Sequence, residues 1–167
     1  MAADMASDES GGGAAPQESA GAPVQVRVIG QYIKDLSFEI PNVHRLLAGP
    51  TEQPALRVEV NVNASKLADK SFESRIEFKA EATSNNTVIY DLELAYAGLF
   101  QIENLPEQAL EPFLLINCPT LLFPFLRRLV ADLTREGGFP PLWLDPIDFA
   151  ALFMQRRQGE ARPPAVN

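Results

Sequence analysis

Four stretches of this chain alternate between apolar and polar residues, and that alternation constrains the fold more than any other feature. They are residues 24–40, 56–63, 72–82 and 88–96. Side chains of a β-strand point alternately to its two faces, so each stretch predicts a strand with one apolar and one solvated face. Ser84-Asn85-Asn86-Thr87 joins the last two, and asparagine tolerates the positive φ of a tight hairpin. The order of the stretches favours an antiparallel meander.

Within each stretch the apolar residues occupy every second position, so they share one parity, which predicts a sheet with a continuous apolar face. The inward-facing sets are Val24, Val26, Val28, Tyr32, Leu36, Phe38 and Ile40; Leu56, Val58, Val60 and Val62; Phe72, Ile76, Phe78 and Ala80; and Val88, Tyr90, Leu92, Leu94 and Tyr96. Gly30 interrupts the first set and indicates a bulge or a bend. An apolar sheet face needs a second layer to cover it.

That second layer is predicted to be helical and to come from the C-terminal half of the chain. Residues 117–140 carry apolar side chains at steps of three and four, namely Leu122, Phe125, Leu126, Leu129, Val130 and Leu133. Pro119 or Thr120 suits the first turn of this helix, and Gly137-Gly138 suits its end. Asn117-Cys118-Pro119 should break or kink the chain before it. A last helix should follow Asp145 as N-cap, with Pro146 at the first helical position.

The predicted fold class is therefore α+β: a four-stranded antiparallel sheet with C-terminal helices packed on one face. Residues 1–22 contain only small, polar and acidic residues besides methionine and proline, which predicts a disordered acidic tail. Residues 159–167 should form a flexible C-terminal tail.

Charge and composition exclude several classes of function. The net charge of −8 argues against a nucleic-acid binder, which needs clustered Lys and Arg. A single cysteine, Cys118, leaves no internal disulfide and no Cys-rich zinc cluster, so we expect no metal site. No apolar run reaches the about 18 to 20 residues of a membrane span, and the N-terminus lacks a secretory signal pattern. We therefore expect a cytoplasmic protein that is not inserted in a membrane.

The solvated parity of the predicted sheet is rich in acids. It carries Asp35, Glu39, Glu59, Glu73, Glu77, Glu81, Asp91 and Glu93 against Arg27, Arg57, Arg75 and Lys79. This face is net negative. It is either an ordinary solvated sheet face or a surface for a cationic partner.

The sequence lacks the usual signs of an enzyme and has a surplus of apolar residues. It contains no phosphate-binding loop, no dinucleotide fingerprint and no H-E-x-x-H motif, and His44 and Cys118 offer the only Cys-His pair. We expect no catalytic residues and no cofactor. Many aromatic residues remain, among them Phe38, Phe123, Phe125, Phe139, Trp143, Phe149 and Phe153. They fill a core, are buried by another subunit, or stay open to bind an apolar partner.

Four segments resemble the SecB family of bacterial protein-export chaperones, in order and in spacing. They are YIKDLSFEIPN from Tyr32, the step Ala97-Gly98-Leu99-Phe100, NCPTLLFPFLRR from Asn117, and GGFPPLWLDPIDFAALFMQRR from Gly137. The resemblance implies a SecB-like chaperone domain over residues 23–158. It also implies a homotetramer, built as a dimer of dimers, that holds unfolded preproteins without ATP and delivers them to the motor SecA. The alternative is a structural or adaptor oligomer that binds no client.

The resemblance also implies which residues carry these functions. Asp35, Glu39 and Glu93 match the acidic surface on which the zinc-containing C-terminal tail of SecA docks, and that zinc belongs to SecA. The client groove would be lined by Leu56, Val58, Val60, Phe149, Leu152 and Phe153. The oligomer interface would include Leu92, Leu94 and Tyr96. One departure from the family is Asp91, which replaces an apolar residue beside the acidic surface.

Overall fold

A computed structural model of the chain describes residues 21–46 and 53–160. Its strands are β1 (Gln25–Glu39), β2 (Ala55–Ala68), β3 (Ser71–Ser84) and β4 (Thr87–Glu103). Its α-helices are α1 (Val43–Leu46), α2 (Glu107–Pro112), α3 (Cys118–Glu136) and α4 (Phe149–Glu160), with a π-helical turn at Phe113–Asn117. The predicted four-stranded antiparallel sheet with C-terminal helices is confirmed. Most of both predicted tails, and residues 47–52 of the β1–β2 connection, lie outside the described residues.

The strand order corrects the predicted meander. Strands β2, β3 and β4 do follow one another, but the sheet order is β1-β4-β3-β2, so β1 pairs with β4 instead of β2. The connection between β1 and β2 spans 15 residues, from Ile40 to Pro54, which is enough to cross the sheet from one edge to the other. Both β1 and β2 are therefore edge strands.

The β3–β4 hairpin is confirmed as a two-residue turn. Asn85 and Asn86 have φ values of 48° and 59°, the left-handed conformation that matches the twist of the flanking strands. β2 and β4 extend beyond their predicted ends, to Ala68 and Glu103. Lys70, at φ 57°, completes the β2–β3 turn. The alternation of side chains therefore underestimated the length of both strands.

Two bulges in β1 correct the predicted orientation of Tyr32. The pairing with β4 shifts between Val28 and Gly30 and again between Ile33 and Asp35. Each bulge adds a residue and reverses the parity. Tyr32 therefore lies on the sheet face away from the helices, while Gln31 lies on the helix side, where Tyr96 Oη donates to its Oε1 at 3.2 Å. The second shift restores the original parity. Asp35 therefore lies on the face away from the helices and Phe38 lies on the helix side, as predicted.

The predicted break at Asn117-Cys118-Pro119 is absent. Residues Glu107–Glu136 form one helical run of 30 residues, because the π-helical turn carries the chain through this point. The Cys118 N–H bonds to the carbonyl of Phe113, five residues back, instead of that of Leu114. The Leu114 carbonyl accepts the hydroxyl of Ser74 from β3 at 2.8 Å. The helix is thus continuous and is tied to the sheet at its irregular turn.

By length and composition this run could cross a membrane, although a core helix of a globular protein meets the same test. Its packing is that of a core helix. Leu122, Leu126 and Val130 are fully buried and belong to the main core with Ile76 and Leu92 of the sheet.

Helix α3 ends as predicted, whereas α4 begins later than predicted. Gly138 has φ +85°, and the Phe139 N–H bonds back to the carbonyl of Thr134 at 3.1 Å, which closes the C-terminus of α3. Helix α4 begins at Phe149, and the carboxylate of Asp148 accepts the N–H of Ala151 at 2.9 Å. The N-cap is therefore Asp148 and not Asp145.

Candidate functional site

The face of the sheet away from the helices is acidic, and the predicted SecA-binding residues lie on it. Asp35 and Glu39 are exposed on β1, paired with Ala95 and Asp91 of β4. Glu93 is exposed on β4, opposite Ser37. The structure brings these three carboxylates to one end of the β1–β4 pair. A shallow depression of about 400 Å³ lies beside them, lined by Asp35, Glu93, Glu59, Glu77, Lys79 and others.

Lys79 neutralises part of this acidic face. Its ammonium group lies 2.6 Å from the carboxylate of Glu93 and 3.4 Å from that of Asp91. The hydrogen bond that Lys79 donates to Glu93 is the main reason that the pKa of Lys79 is raised. The Oδ1 atom of Asp91 is buried and has no hydrogen-bond partner within the described residues. Among the described residues, Asp35 and Glu39 form no ion pair, so of the three predicted SecA-binding carboxylates only Glu93 is paired.

Glu73 lies on the same face but is not solvated, which sequence reasoning missed. It is only 4% exposed, because Tyr32 and Lys34 reach across from β1 and cover it. The Tyr32 hydroxyl donates to Glu73 Oε2, and Lys34 Nζ lies 2.6 Å from Oε1. On β4, the small side chain of Ala97 lies between Tyr32 and Arg75, and Glu73 itself is opposite Leu99. The sequence residue that could have indicated this burial is Tyr32, but Tyr32 faces Glu73 only because it lies between the two bulges of β1.

The electrostatics of the Glu73 cluster favour the ionised carboxylate. Burial pushes the pKa of Glu73 upward, but hydrogen bonds from Lys34 and Tyr32, and the charges of Lys34 and Arg75, outweigh it and lower the pKa below 4.5. The hydrogen bond to Glu73 raises the pKa of Tyr32 to about 12, with burial as a further cause. The cluster therefore joins β1 to β3 across β4 on the acidic face.

A groove of about 360 Å³ lies between β2 and α4. Val60, Leu152 and Phe153 form part of its lining, and polar side chains form another part, namely Asn61, Asn63, Glu77 and Arg156. Leu56 and Val58 continue the same face of β2 and are 44% and 41% exposed. Of the six predicted client-groove residues, Leu56 and Val58 are exposed, Val60 and Leu152 are half-buried in the groove lining, and Phe153 is a mostly buried part of that lining.

Phe149, the sixth, is placed elsewhere. It is 3% exposed and packs edge-on against Phe123 of α3, with ring centroids 6.0 Å apart. As the first residue of α4 it anchors that helix to the core. It therefore supports the groove from behind and does not line it.

The predicted interface residues Leu92, Leu94 and Tyr96 lie under α3 within this chain. They are 0%, 2% and 7% exposed. The outer side of α3 above them is apolar and open, with Leu121 at 49% and Phe125 at 41% exposed, and the Phe125 ring stacks on Tyr96 at 6.4 Å. A second open apolar row follows β1, at Val26, Val28, Ile33 and Leu36. The sequence put Val26 and Val28 on the inward face of the sheet and did not reveal their exposure, and it left open whether Phe125 fills the core, is buried by another subunit or stays exposed.

Cys118 and His44 do not form a catalytic pair. Cys118 is fully buried, and burial raises the pKa of its thiol to about 12, so it is a structural cysteine. His44 is exposed on α1. Within the part of the chain that the structure describes, no three His, Cys, Asp or Glu side chains are grouped as metal ligands.

The fold and its two surfaces define an α+β protein with an acidic sheet face on one side and, on the other, exposed apolar residues of β2 beside a groove of mixed polarity. The family model described as "Preprotein translocase subunit SecB" matches residues 18–160. A protein-export protein SecB of Rhodopseudomonas palustris is 46% identical over 151 residues, which cover 90% of this chain and 95% of that protein. A SecB of Azorhizobium caulinodans is 48% identical over 137 residues, covering 82% and 86%.

A solved structure of a Mycobacterium tuberculosis SecB-like chaperone, in complex with a ChAD peptide from an antitoxin, is also similar. Its TM-score is 0.58 at 17% identity, and the match covers 74% of this chain and 90% of that one. This likeness shows the fold alone. The family model and the relatives show more: the chain belongs to the SecB family of protein-export chaperones.

Proposed function

We propose that this chain holds unfolded preproteins in the cytosol without ATP and delivers them to SecA as a homotetramer. The observation that carries the proposal is the division of the sheet into two unlike faces. Asp35 and Glu39 are exposed on the helix-free face, whereas Leu56 and Val58 are exposed on the helix-bearing face. Two partners of different chemistry have separate surfaces on one sheet.

Client holding follows from the apolar surface along β2. An unfolded polypeptide exposes apolar side chains, and burying them is favourable by about 25 cal/mol per Å². Contacts of this kind depend on the hydrophobicity and the extended conformation of the client, and they do not select a particular client sequence. Several grooves on one oligomer hold a long client more tightly than one groove does, and bound client is withdrawn from folding and from aggregation by mass action.

Delivery to SecA rests on the acidic face. Asp35 and Glu39 have no cationic partner within the described residues, so their charges are available to the basic, zinc-containing tail of SecA. Glu93 shares its charge with Lys79. Because these groups are exposed, the attraction should weaken as salt shortens the Debye length to about 10 Å at 0.1 M.

Assembly into a tetramer would cover the remaining apolar surfaces. The outer side of α3, with Leu121 and Phe125, suits contact with the equivalent helix of another copy, and the β1 row suits contact along the sheet edge. In this arrangement Leu92, Leu94 and Tyr96 contribute by supporting α3 from below. Leu56 and Val58, on the opposite edge strand, stay open to client.

The proposal is tested by suppression of client aggregation. The double variant Leu56→Ser with Val58→Ser should lose most of the ability to keep an unfolded preprotein from scattering light, because it replaces the exposed apolar surface of β2. Leu67→Ser is the matched control, since Leu67 is 56% exposed near the opposite end of the same strand. Equal suppression by the double variant and the wild type would support the structural or adaptor alternative instead.

A further inference from the structure

Lys34 and Lys79 both lie on the acidic face of the sheet, but they pair with different kinds of carboxylate. Lys79 pairs with Glu93, which is one of the predicted SecA-binding residues. Lys34 comes directly before Asp35 in the chain, yet its Nζ lies 2.6 Å from the carboxylate of Glu73. Among the described residues no ion pair joins Lys34 to Asp35. The ammonium group of Lys34 is thus used on a buried carboxylate, and the exposed carboxylate beside it is left unpaired.

Lys34 is also the extra residue of the second bulge in β1. The pairing of β1 with β4 steps from Ile33 to Asp35, so Lys34 has no partner of its own on β4. A bulge of this kind changes the direction in which the next side chains point. Without it, strict alternation from Tyr32 onwards would put Asp35 on the helix side of the sheet. The position of Asp35 on the acidic face therefore depends on this one extra residue.

The side chains of Tyr32 and Lys34 converge on Glu73 and hold the bulged segment. The Tyr32 hydroxyl donates to Oε2 of Glu73, and Lys34 donates to Oε1. Glu73 belongs to β3, an inner strand of the sheet, and is only 4% exposed. A buried carboxylate is stable only while it keeps such partners. Two bonds to one fixed group therefore oppose any change in the conformation of residues 32–34.

We propose that Tyr32, Lys34 and Glu73 are positioning residues for SecA docking, because they fix the bulge that presents the Asp35 carboxylate on the acidic face. The inference rests on the proposed function and assigns a role to three residues that do not themselves attract a basic partner. A carboxylate on a fixed segment loses less conformational freedom on binding than one on a mobile segment. Preorganisation of Asp35 therefore strengthens docking without adding a contact.

Charge alone predicts the opposite effect at Lys34. Its ammonium group repels a basic partner, so its removal would strengthen docking if only the net charge of the face mattered. Positioning predicts that its removal weakens docking, because the bulge then loses one of its two bonds to Glu73. The two explanations therefore differ in sign for a single substitution.

The test measures the affinity of the full-length protein for the zinc-loaded C-terminal peptide of SecA by isothermal titration calorimetry at low salt. Lys34→Met should weaken binding about three- to tenfold. Lys34→Arg keeps a cation for Glu73 and should restore most of the wild-type affinity. Lys79→Met is the matched control, because it removes the same charge from the same face but releases Glu93. It should strengthen binding by about twofold.

Tyr32→Phe is a second test variant, and it changes no charge. It should also weaken peptide binding, because it removes the hydrogen bond to Glu73. The dependence of affinity on salt should stay that of the wild type, since the charges on the acidic face are the same. Far-UV circular dichroism and the oligomeric mass should match the wild type for both Tyr32→Phe and Lys34→Met.

Two results for peptide binding would overturn the inference: wild-type or stronger affinity of Lys34→Met, or wild-type affinity of Tyr32→Phe. A changed circular dichroism spectrum or oligomeric mass would overturn it as well, because the three residues would then stabilise the whole fold instead of positioning Asp35. Failure of the wild type to bind the peptide would instead overturn the proposed docking to SecA.

Discussion

At the scale of single residues, Glu73 shows why side-chain parity does not determine solvation. The alternation of β3 correctly puts Glu73 on the acidic face, yet Tyr32 and Lys34 cover it. A buried carboxylate is stable only with strong partners, and here it has a hydroxyl, an ammonium group and the more distant guanidinium of Arg75 at 3.7 Å. The cluster therefore holds β1, and with it Asp35, against the rest of the sheet.

We expect Glu73→Gln to destabilise the protein by about 1–3 kcal/mol at neutral pH, because charge-assisted hydrogen bonds to Lys34 and Tyr32 are lost. Chemical denaturation monitored by circular dichroism measures the loss. Glu81→Gln is the control on the same strand and face, in no ion pair within the described residues, and should change stability by less than about 0.5 kcal/mol. Equal effects of the two substitutions would contradict the role of the cluster.

The same cluster should leave a signature in the dependence of stability on pH. The folded pKa of Glu73 lies below 4.5, so its contribution is present above that value and is lost as pH falls through the folded pKa. The pKa of Tyr32 is raised from 10.0 to about 12, so its contribution is present below pH 10 and is lost as pH rises towards 12. Glu73→Gln should flatten both limbs of the stability profile relative to the wild type.

The sequence could predict the acidic residues of the site but not every apolar one. Asp35, Glu39 and Glu93 face solvent as their parity indicates. Tyr32 was assigned to the helix side because the apolar residues before and after it in β1 share one parity. The parity reverses at the first bulge and returns at the second, and the second bulge has no glycine to mark it. Phe149 was assigned to the groove because the family resemblance implied it together with Leu152 and Phe153, and its packing against Phe123 is a tertiary contact that the sequence does not show.

At the scale of secondary-structure elements, the continuous helical run Glu107–Glu136 is the main departure from the sequence prediction. The sequence indicated a break at Asn117-Cys118-Pro119, since proline lacks the N–H that a helix uses, and the same run also contains Pro112 and Pro124. The π-helical turn accommodates the irregularity, and Ser74 satisfies the carbonyl of Leu114. Such compensation comes from a residue more than 30 positions away, so local patterns do not reveal it.

The close approach of α3 to β4 depends on Gly98. A Cβ atom at this position would lie 2.7 Å from Leu122 Cδ2 and 2.8 Å from Phe100 Cε2, and both of those side chains are fully buried. We expect Gly98→Ala to cost about 1–3 kcal/mol by overpacking, seen as a lower Tm. Gly30→Ala is the control, because a Cβ at Gly30 meets nothing within 4 Å. A Gly98→Ala variant as stable as the control would contradict this packing.

At the scale of the whole molecule, the order β1-β4-β3-β2 separates the surfaces. It puts β1, with its exposed apolar row, at one edge and β2, with the proposed client groove, at the other. Under the proposed function, assembly and client binding would therefore use opposite edges. The sequence predicted four strands but not this order, because each strand pattern fits either neighbour and the long β1–β2 connection permits both.

If the outer side of α3 joins dimers into a tetramer, Leu121→Glu with Phe125→Glu should prevent that step, since the substitution buries unpaired like charges. Light scattering after size exclusion should give four times the chain mass of 18.3 kDa for the wild type and twice that mass for the variant. Leu67→Glu, equally exposed on β2, should remain a tetramer. A tetrameric α3 variant would place the interface elsewhere.

The central claim is that client and SecA use opposite faces of one sheet, and simultaneous binding tests it most directly. Affinity for the zinc-loaded C-terminal peptide of SecA is measured with and without a saturating unfolded preprotein, at low and high salt. The account predicts a ternary complex with unchanged affinity for the SecA peptide, weakened by salt and abolished by Asp35→Lys, which leaves client binding intact. Competition between preprotein and SecA peptide for the same site would contradict it.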